Sequence, residues 1–258
     1  MAAIPAVAAA CTLPTCLGLW RSGYAVSYGY GGAMLAAGAL ALPRAAPGVA
    51  RAHALALIFY GARLDLFLLW RELALPEAIH QMKRRDATAR ERLKRLPVVV
   101  GCSALYFTMA APLRVTAACA GHCGVPAAAA VALAFVGFGV AAMGDLVKAY
   151  VKARDGADAL VTAGPFRWLR HPNYTGEMIG WAASFASAAL AAASAGCLRS
   201  QAGWLATSAL GAAGIFFVLA GEATAGLEKK QKEKYGGTPE YDAWVARSWS
   251  GPMLKSSS

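Results

Sequence analysis

The sequence predicts an all-α bundle embedded in a membrane, with about six transmembrane helices and room for a seventh segment at the N-terminus. Three observations predict it. The chain is 58% hydrophobic and 15% charged, against roughly 25% charged in soluble domains. Its apolar stretches approach the ~20 residues that a helix needs to cross a bilayer, and short polar connectors separate them. Basic residues gather in every second connector, the pattern that the positive-inside rule gives a multi-pass protein.

Residues 1–26 come first. They are Ala-rich and carry no acidic side chain. A targeting peptide, a degenerate span and a loose tail all fit that composition. Residues 27–258 read as one membrane-embedded domain, since no long linker or internal repeat interrupts them. Expected spans cover residues 27–42, 50–70, 97–117, 125–146, 174–195 and 203–221. The first is short and rich in glycine and alanine, the composition of membrane helices that pack closely.

The net charge of +11 takes its meaning from position. His80, Lys83, Arg84, Arg85, Arg90, Arg92, Lys94 and Arg95 lie between the second and third spans. Lys148, Lys152, Arg154, Arg167 and Arg170 lie between the fourth and fifth, and Lys229, Lys230, Lys232 and Lys234 follow the sixth. The remaining connectors hold Arg44, Arg51, Arg114 and Arg199. Six spans with both termini cytoplasmic satisfy the rule, so the basic character reflects topology rather than nucleic-acid binding. Of the cysteines, Cys119 and Cys123 flank His122, but the spacing matches no usual zinc pattern. No metal site is expected.

Residues 160–177 concentrate Arg167, Arg170, His171, Asn173, Tyr174 and Glu177 ahead of an apolar segment. Ionisable groups at the mouth of a membrane helix are costly and mark ligand sites. Gly164-Pro165 reads as a turn. Pro172 suits the first turn of a helix, where its missing N–H costs nothing. A helix start attracts anions, and arginine forks grip phosphates, so the run reads as a cradle for a cofactor phosphate. Asn173 and Glu177 share a helix face. Glu177 falls one turn inside the apolar segment, so it is protonated, or partnered by a loop arginine or a ligand amide. The plainer alternative is a carboxylate that pins helix ends.

Asp145 and Lys148, three apart at the end of the fourth span, can pair or snorkel into the headgroups. In the second span Tyr60, Arg63 and Phe67 share a face that can line a pocket, while Arg63 and Asp65 reach different partners. His53 and His80 sit near span ends and receive no role. Glu222 closes the sixth span and Glu228 follows it. The tail carries Tyr235, Tyr241, Trp244 and Arg247. It reads either as an interfacial anchor or as a cap whose rings stack on a flat cofactor.

Arg170-His171-Pro172, followed by Tyr174 and Gly176, resembles the motif of a superfamily of integral membrane enzymes. It includes the steroid 5α-reductase C-terminal domain, sterol reductases, isoprenylcysteine carboxyl methyltransferases and phospholipid methyltransferases. Asn173 and Glu177 complete a pattern similar to the reductase branch. Asp145 with Lys148, the run Gly164-Pro165-Phe166-Arg167-Trp168 and Leu227-Glu228-Lys229-Lys230 look like an uncharacterised subfamily allied to the steroid reductases. So do Tyr235-Gly236, Pro239-Glu240-Tyr241 and Phe67-Leu68-Leu69-Trp70-Arg71-Glu72. The tail lacks the histidine that steroid reductases place there, and the spacing from Tyr241 to Arg247 is longer, so a steroid substrate is not implied.

The resemblance implies NADPH bound by Asp145, Arg170, His171, Asn173 and Glu177, with Tyr241 and Arg247 as further carry-overs. The reading of the loop and its flank adds Lys148 and Arg167 as cofactor-binding residues, and Glu177 with Tyr174, beside Asn173, as the expected catalytic groups. The expected reaction reduces a conjugated C=C bond of a lipid or sterol-like substrate, with Tyr174 polarising a carbonyl or supplying the proton. The alternatives are an S-adenosylmethionine-dependent methyltransferase of a lipid or prenylcysteine, and a non-catalytic membrane protein. Expected partners are an apolar lipid-like substrate and membrane lipids, without nucleic acid. The expected location is the endoplasmic reticulum membrane, with another organelle's membrane as the alternative.

Overall fold

The apolar runs become helices. The computed structural model describes residues 2–21, 23–76 and 88–254. In chain order these hold α1 (Ile4–Thr15), α2 (Leu17–Trp20), α3 (Tyr28–Ala41), α4 (Val49–Ala74), α5 (Ala89–Ala118), α6 (Val125–Asp155) and α7 (Pro172–Ser194). Then come α8 (Ala202–Phe216), a π-helical stretch (Phe217–Ala223), α9 (Thr224–Tyr235) and α10 (Pro239–Arg247). No strand occurs among the described residues, so the architecture is all-α. His80, Lys83, Arg84 and Arg85 lie outside the described residues.

Among the described residues, four helices are long and apolar enough to cross a membrane: Val49–Ala74, Arg90–Ala118, Val125–Asp155 and Ala202–Tyr235. That is the pattern of an integral membrane protein, with fewer such helices than the six expected spans. Helix α3 has 14 residues, about 21 Å at 1.5 Å per residue, short of the ~30 Å hydrocarbon core. Helix α7 has 23 residues, but it opens on Asn173, Tyr174, Thr175 and Glu177 and buries most of its length against neighbours. A helix enclosed by protein needs less apolar surface than one facing lipid.

Residues 2–20 form two helices packed into the bundle. Cys11 and Thr15 are fully buried, and the Thr15 and Ser103 hydroxyls lie 2.7 Å apart. Arg114 Nη1 donates to the Ala2 carbonyl at 3.1 Å. Helices α1 and α2 pack beside α3 and α5, which places Ala2 next to Arg114 near the C-terminal end of α5.

Glycines let α6 and α7 touch backbone to backbone. A Cβ on Gly137 would lie 2.5 Å from the Gly180 nitrogen, and one on Gly144 would lie 2.8 Å from the Asn173 nitrogen. This approach, typical of small-residue membrane interfaces, carries Asp145 to the start of α7. The core beneath is aromatic: Tyr30 stacks on Tyr106 at 5.0 Å, and Phe138 meets Tyr60 at 4.7 Å and Trp181 at 5.0 Å. Towards the other end, buried His53 joins three helices, with Nε2 2.8 Å from Ser184 Oγ and Nδ1 3.2 Å from Thr116 Oγ1.

The tail docks onto the loop that precedes α7. Trp244 is fully buried, and its Nε1–H donates to the Phe166 carbonyl at 2.6 Å. The Arg170 N–H donates to Trp249 O, and the Trp249 N–H donates to Trp168 O, each at 2.8 Å.

Candidate functional site: a cationic cleft beside an apolar pocket

Helix α7 begins at Pro172, as its fixed φ and missing N–H predict. The two residues before it bind a single carboxylate. Glu228 Oε1 accepts from Arg170 Nε at 2.8 Å and from His171 Nε2 at 2.7 Å. Arg170 Nη1 also donates to the carbonyls of Ser248 at 2.5 Å and Val245 at 3.3 Å. Arg170 and His171 therefore fasten α9 and the tail against the mouth of α7.

Those contacts enclose a cleft of about 270 Å³. Among the described residues Arg71, Lys148, Lys152, Arg170, Lys230 and Lys234 line it, and no carboxylate does. Some of these cations also shape the wall. Lys152 Nζ donates to the carbonyls of Ala157 at 2.5 Å and Ala159 at 3.4 Å. Lys234 pairs with Asp158, a hydrogen bond that holds the Asp158 carboxyl below the usual carboxylate range. Lys148 and Lys230 have no ion-pair partner among the described residues. His171, Asn173 and Gln231 complete the lining. Gln231 Oε1 is buried there without a hydrogen-bond partner among the described residues.

Deeper in, one arginine joins three helices. Arg63 Nη1 donates to Asp145 Oδ2 at 2.7 Å, and Nη2 donates to Glu177 Oε1 at 3.3 Å. The Tyr30 hydroxyl donates to Glu177 Oε2 at 3.4 Å. The Tyr60 ring lies 4.7 Å from the guanidinium, within cation–π range. Two expectations are corrected. Asp145 pairs with Arg63 rather than Lys148, because close packing turns it inward towards α4. Glu177 takes its arginine from α4 rather than from the preceding loop. Arg63 and Asp65 do not pair with each other: Asp65 packs against Gly31 of α3, and its Oδ1 is buried with no hydrogen-bond partner among the described residues.

A second cavity, about 260 Å³, opens between α4 and α6. Its walls are Leu66, Phe67, Trp70, Ala142 and Leu146, and its floor is Arg63 with Asp145. The two cavities are neighbours. Asp145 lines the pocket and Lys148 the cleft, three residues apart on α6 or about 4.5 Å of rise. Trp70 lines the pocket and Arg71, the next residue, lines the cleft. The Arg63–Asp145 pair stands at the junction.

Of the expected site residues, Lys148, Arg170, His171 and Asn173 meet at the cleft, and Asp145 and Glu177 meet through Arg63. The others fall elsewhere. Arg167 and Arg247 are exposed and share a separate surface depression with Trp168. Tyr241 packs in the small core of the tail beside Trp244 and Phe166. Tyr174 is half-buried, its ring 6.3 Å from that of His171, and it is among the lining residues of neither cavity. The sequence reading missed Arg71, Lys152, Gln231, Lys230 and Lys234 as one surface. The spacing of Lys230 and Lys234, one helical turn, was the available signal. Among the described residues no three His, Cys, Asp or Glu side chains gather to hold a metal.

No curated protein and no solved structure matches the chain. Residues 26–248 match the family described as "Protein of unknown function (DUF1295)", and the chain belongs to that family.

Proposed function

We propose that the protein is an integral membrane reductase that uses NADPH to saturate a conjugated carbon–carbon double bond of a lipid or sterol-like molecule. The observation that carries this reading is a cleft lined, among the described residues, by six cations and no carboxylate, next to an apolar pocket that the Arg63–Asp145 pair lines. A polyanionic dinucleotide suits the first cavity and an apolar substrate the second. The sulfonium of S-adenosylmethionine calls for carboxylates, and none lines the cleft among the described residues.

The residues present fit the cofactor. Lys148, Lys230 and Arg170 would hold its phosphates beside the free N–H groups at the start of α7. The unpartnered Gln231 Oε1 would accept from the adenine amine or the nicotinamide carboxamide of the cofactor, and Asn173 would meet the other of these two groups. When bound, NADPH supplies a hydride to the β-carbon, while a proton added at the α-carbon completes the reduction. Glu177 and Asp145 hold Arg63 rigid at the junction, which makes them positioning residues. Tyr174, between Asn173 and Glu177 on the first turn of α7, is the proposed proton source, reaching the junction by rotation of its side chain. The likeness of Arg170, His171, Asn173 and Glu177 to the reductase branch of the steroid 5α-reductase-like enzymes supports the same reading. The endoplasmic reticulum is the proposed location.

The test supplies purified protein with a lipid extract and NADPH deuterated at its transferable position. The reading expects lipids heavier by one deuterium and one hydrogen, with consumption of NADPH. Transfer of a labelled methyl group from S-adenosylmethionine to a lipid, with no deuterium uptake, would overturn it.

A further inference from the structure

The pocket between α4 and α6 opens sideways. Leu66 and Leu146 on its rim are 65% and 50% exposed, and Trp70 and Met143 beside them are exposed as well. Apolar side chains bared along two helices that are long enough to span a bilayer face lipid rather than water. The floor is different. The Arg63 side chain is 9% exposed. Its Nη atoms serve Asp145 and Glu177, while its Nε–H has no acceptor among the described residues. A buried donor left bare is costly, so it marks the place of a missing acceptor.

The charges select the kind of acceptor. Arg63 already faces two carboxylates, so a ligand anion would meet excess negative charge, and a ligand cation would meet a guanidinium. A neutral oxygen fits. The volume, about 260 Å³, sits at the lower end of the ~300–1,000 Å³ usual for small-molecule sites. It holds a polar head and its adjoining ring or first carbons, with the remaining hydrocarbon left in the lipid beside Leu66 and Leu146.

We propose that this pocket is a lateral door from the bilayer and the head site for an apolar molecule ending in one neutral acceptor, a conjugated carbonyl, whose oxygen accepts from Arg63 Nε–H. The proposal rests on the reductase reading in calling that molecule the substrate and its carbonyl conjugated; the neutral acceptor itself follows from Arg63 and its two carboxylates. It places the carbonyl at the junction, with the cationic cleft on the far side of the same arginine pair.

The probe is a 3-alkylcyclohexenone with a diazirine in its chain, photolysed with the protein in lipid nanodiscs without cofactor. Mass spectrometry should find the label on Leu66, Phe67, Trp70, Ala142 or Leu146. Unlabelled 3-alkylcyclohexenone should compete at least tenfold better than the alkylcyclohexane of equal length. Ala142→Trp should abolish labelling while keeping the thermal shift with NADPH. Arg63→Lys keeps the charge but removes the Nε–H, and should erase the preference for the enone. Labelling confined to other helices, or equal competition by the hydrocarbon on the wild-type protein, overturns the proposal. If either variant fails to fold, the wild-type map and competition decide. Failure of the reductase reading looks different: NADPH gives no thermal shift while the label still maps to the pocket.

Discussion

Arg63 Nη1 lies 2.7 Å from Asp145 Oδ2, and this pair lines the apolar pocket three residues along α6 from Lys148 of the cationic cleft. Glu177 completes the trio on the other side of the guanidinium. All three side chains are largely buried, with 9% to 15% exposure. Removing one partner of such a group leaves uncompensated charge, which costs about 3–5 kcal/mol. Arg63→Met alone should therefore destabilise by that amount in thermal unfolding. The triple variant Arg63→Met, Asp145→Asn, Glu177→Gln should regain most of the loss and remain inactive. Full activity of the triple variant would remove the trio from the mechanism.

Glu228 fastens the tail through Arg170 and His171. Glu228→Gln keeps the shape and removes the charge, weakening two charge-assisted bonds by about 1–2 kcal/mol in total. Limited proteolysis should then cut faster between α9 and α10, while α4 to α7 stay protected. An unchanged cleavage pattern would show that the tail is held by Trp244 and its neighbours alone.

Geometry divides the basic residues into two sets. Lys148→Ala or Lys230→Ala should weaken NADPH roughly tenfold, or about 1.4 kcal/mol. Arg167→Ala and Arg247→Ala, in the separate depression, should change the dissociation constant by less than about twofold, the usual scale for exposed charges. The ranking is read by titration at fixed salt. The reverse ranking would favour the sequence-based assignment of Arg167 and Arg247 to the cofactor.

His53 with Ser184 has the look of a catalytic pair, since Nε2 lies 2.8 Å from the serine oxygen. Both are fully buried, and the other ring nitrogen faces the Thr116 hydroxyl rather than a carboxylate. This is a helix clamp. His53→Ala should cost about 1–3 kcal/mol and leave the turnover number of the folded protein unchanged. A lost turnover number with intact folding would call for a second site.

Much of this was legible beforehand for physical reasons. Pro172 announced the start of α7, and the apolar runs announced α4, α5, α6 and α8, because helix caps and bilayer length act locally along the chain. Lys148, Arg170, His171 and Asn173 belong to the one basic connector between the fourth and fifth expected spans and its flank, so their meeting at the cleft was open to the sequence. Partner choice was not legible. Asp145 and Lys148 sit three apart on one helix, yet Asp145 binds Arg63, 82 positions away, because Gly137 and Gly144 set how α6 lies against α7. Residues 2–20 were read three ways, since an Ala-rich segment has little pattern of its own and gains its place only through contacts such as Thr15 with Ser103. Tyr241 carried an aromatic signal for stacking on a cofactor, but aromatic rings signal core packing just as strongly, and here the core won.

The central claim is that the cleft is built for a polyanionic dinucleotide. Thermal unfolding of the purified protein in detergent, with NADPH, NADP⁺ or S-adenosylmethionine added separately, tests it most directly. The account predicts stabilisation by both dinucleotides, weakening as salt rises and reduced in Lys148→Ala, with no shift from S-adenosylmethionine. Stabilisation by S-adenosylmethionine alone would contradict it.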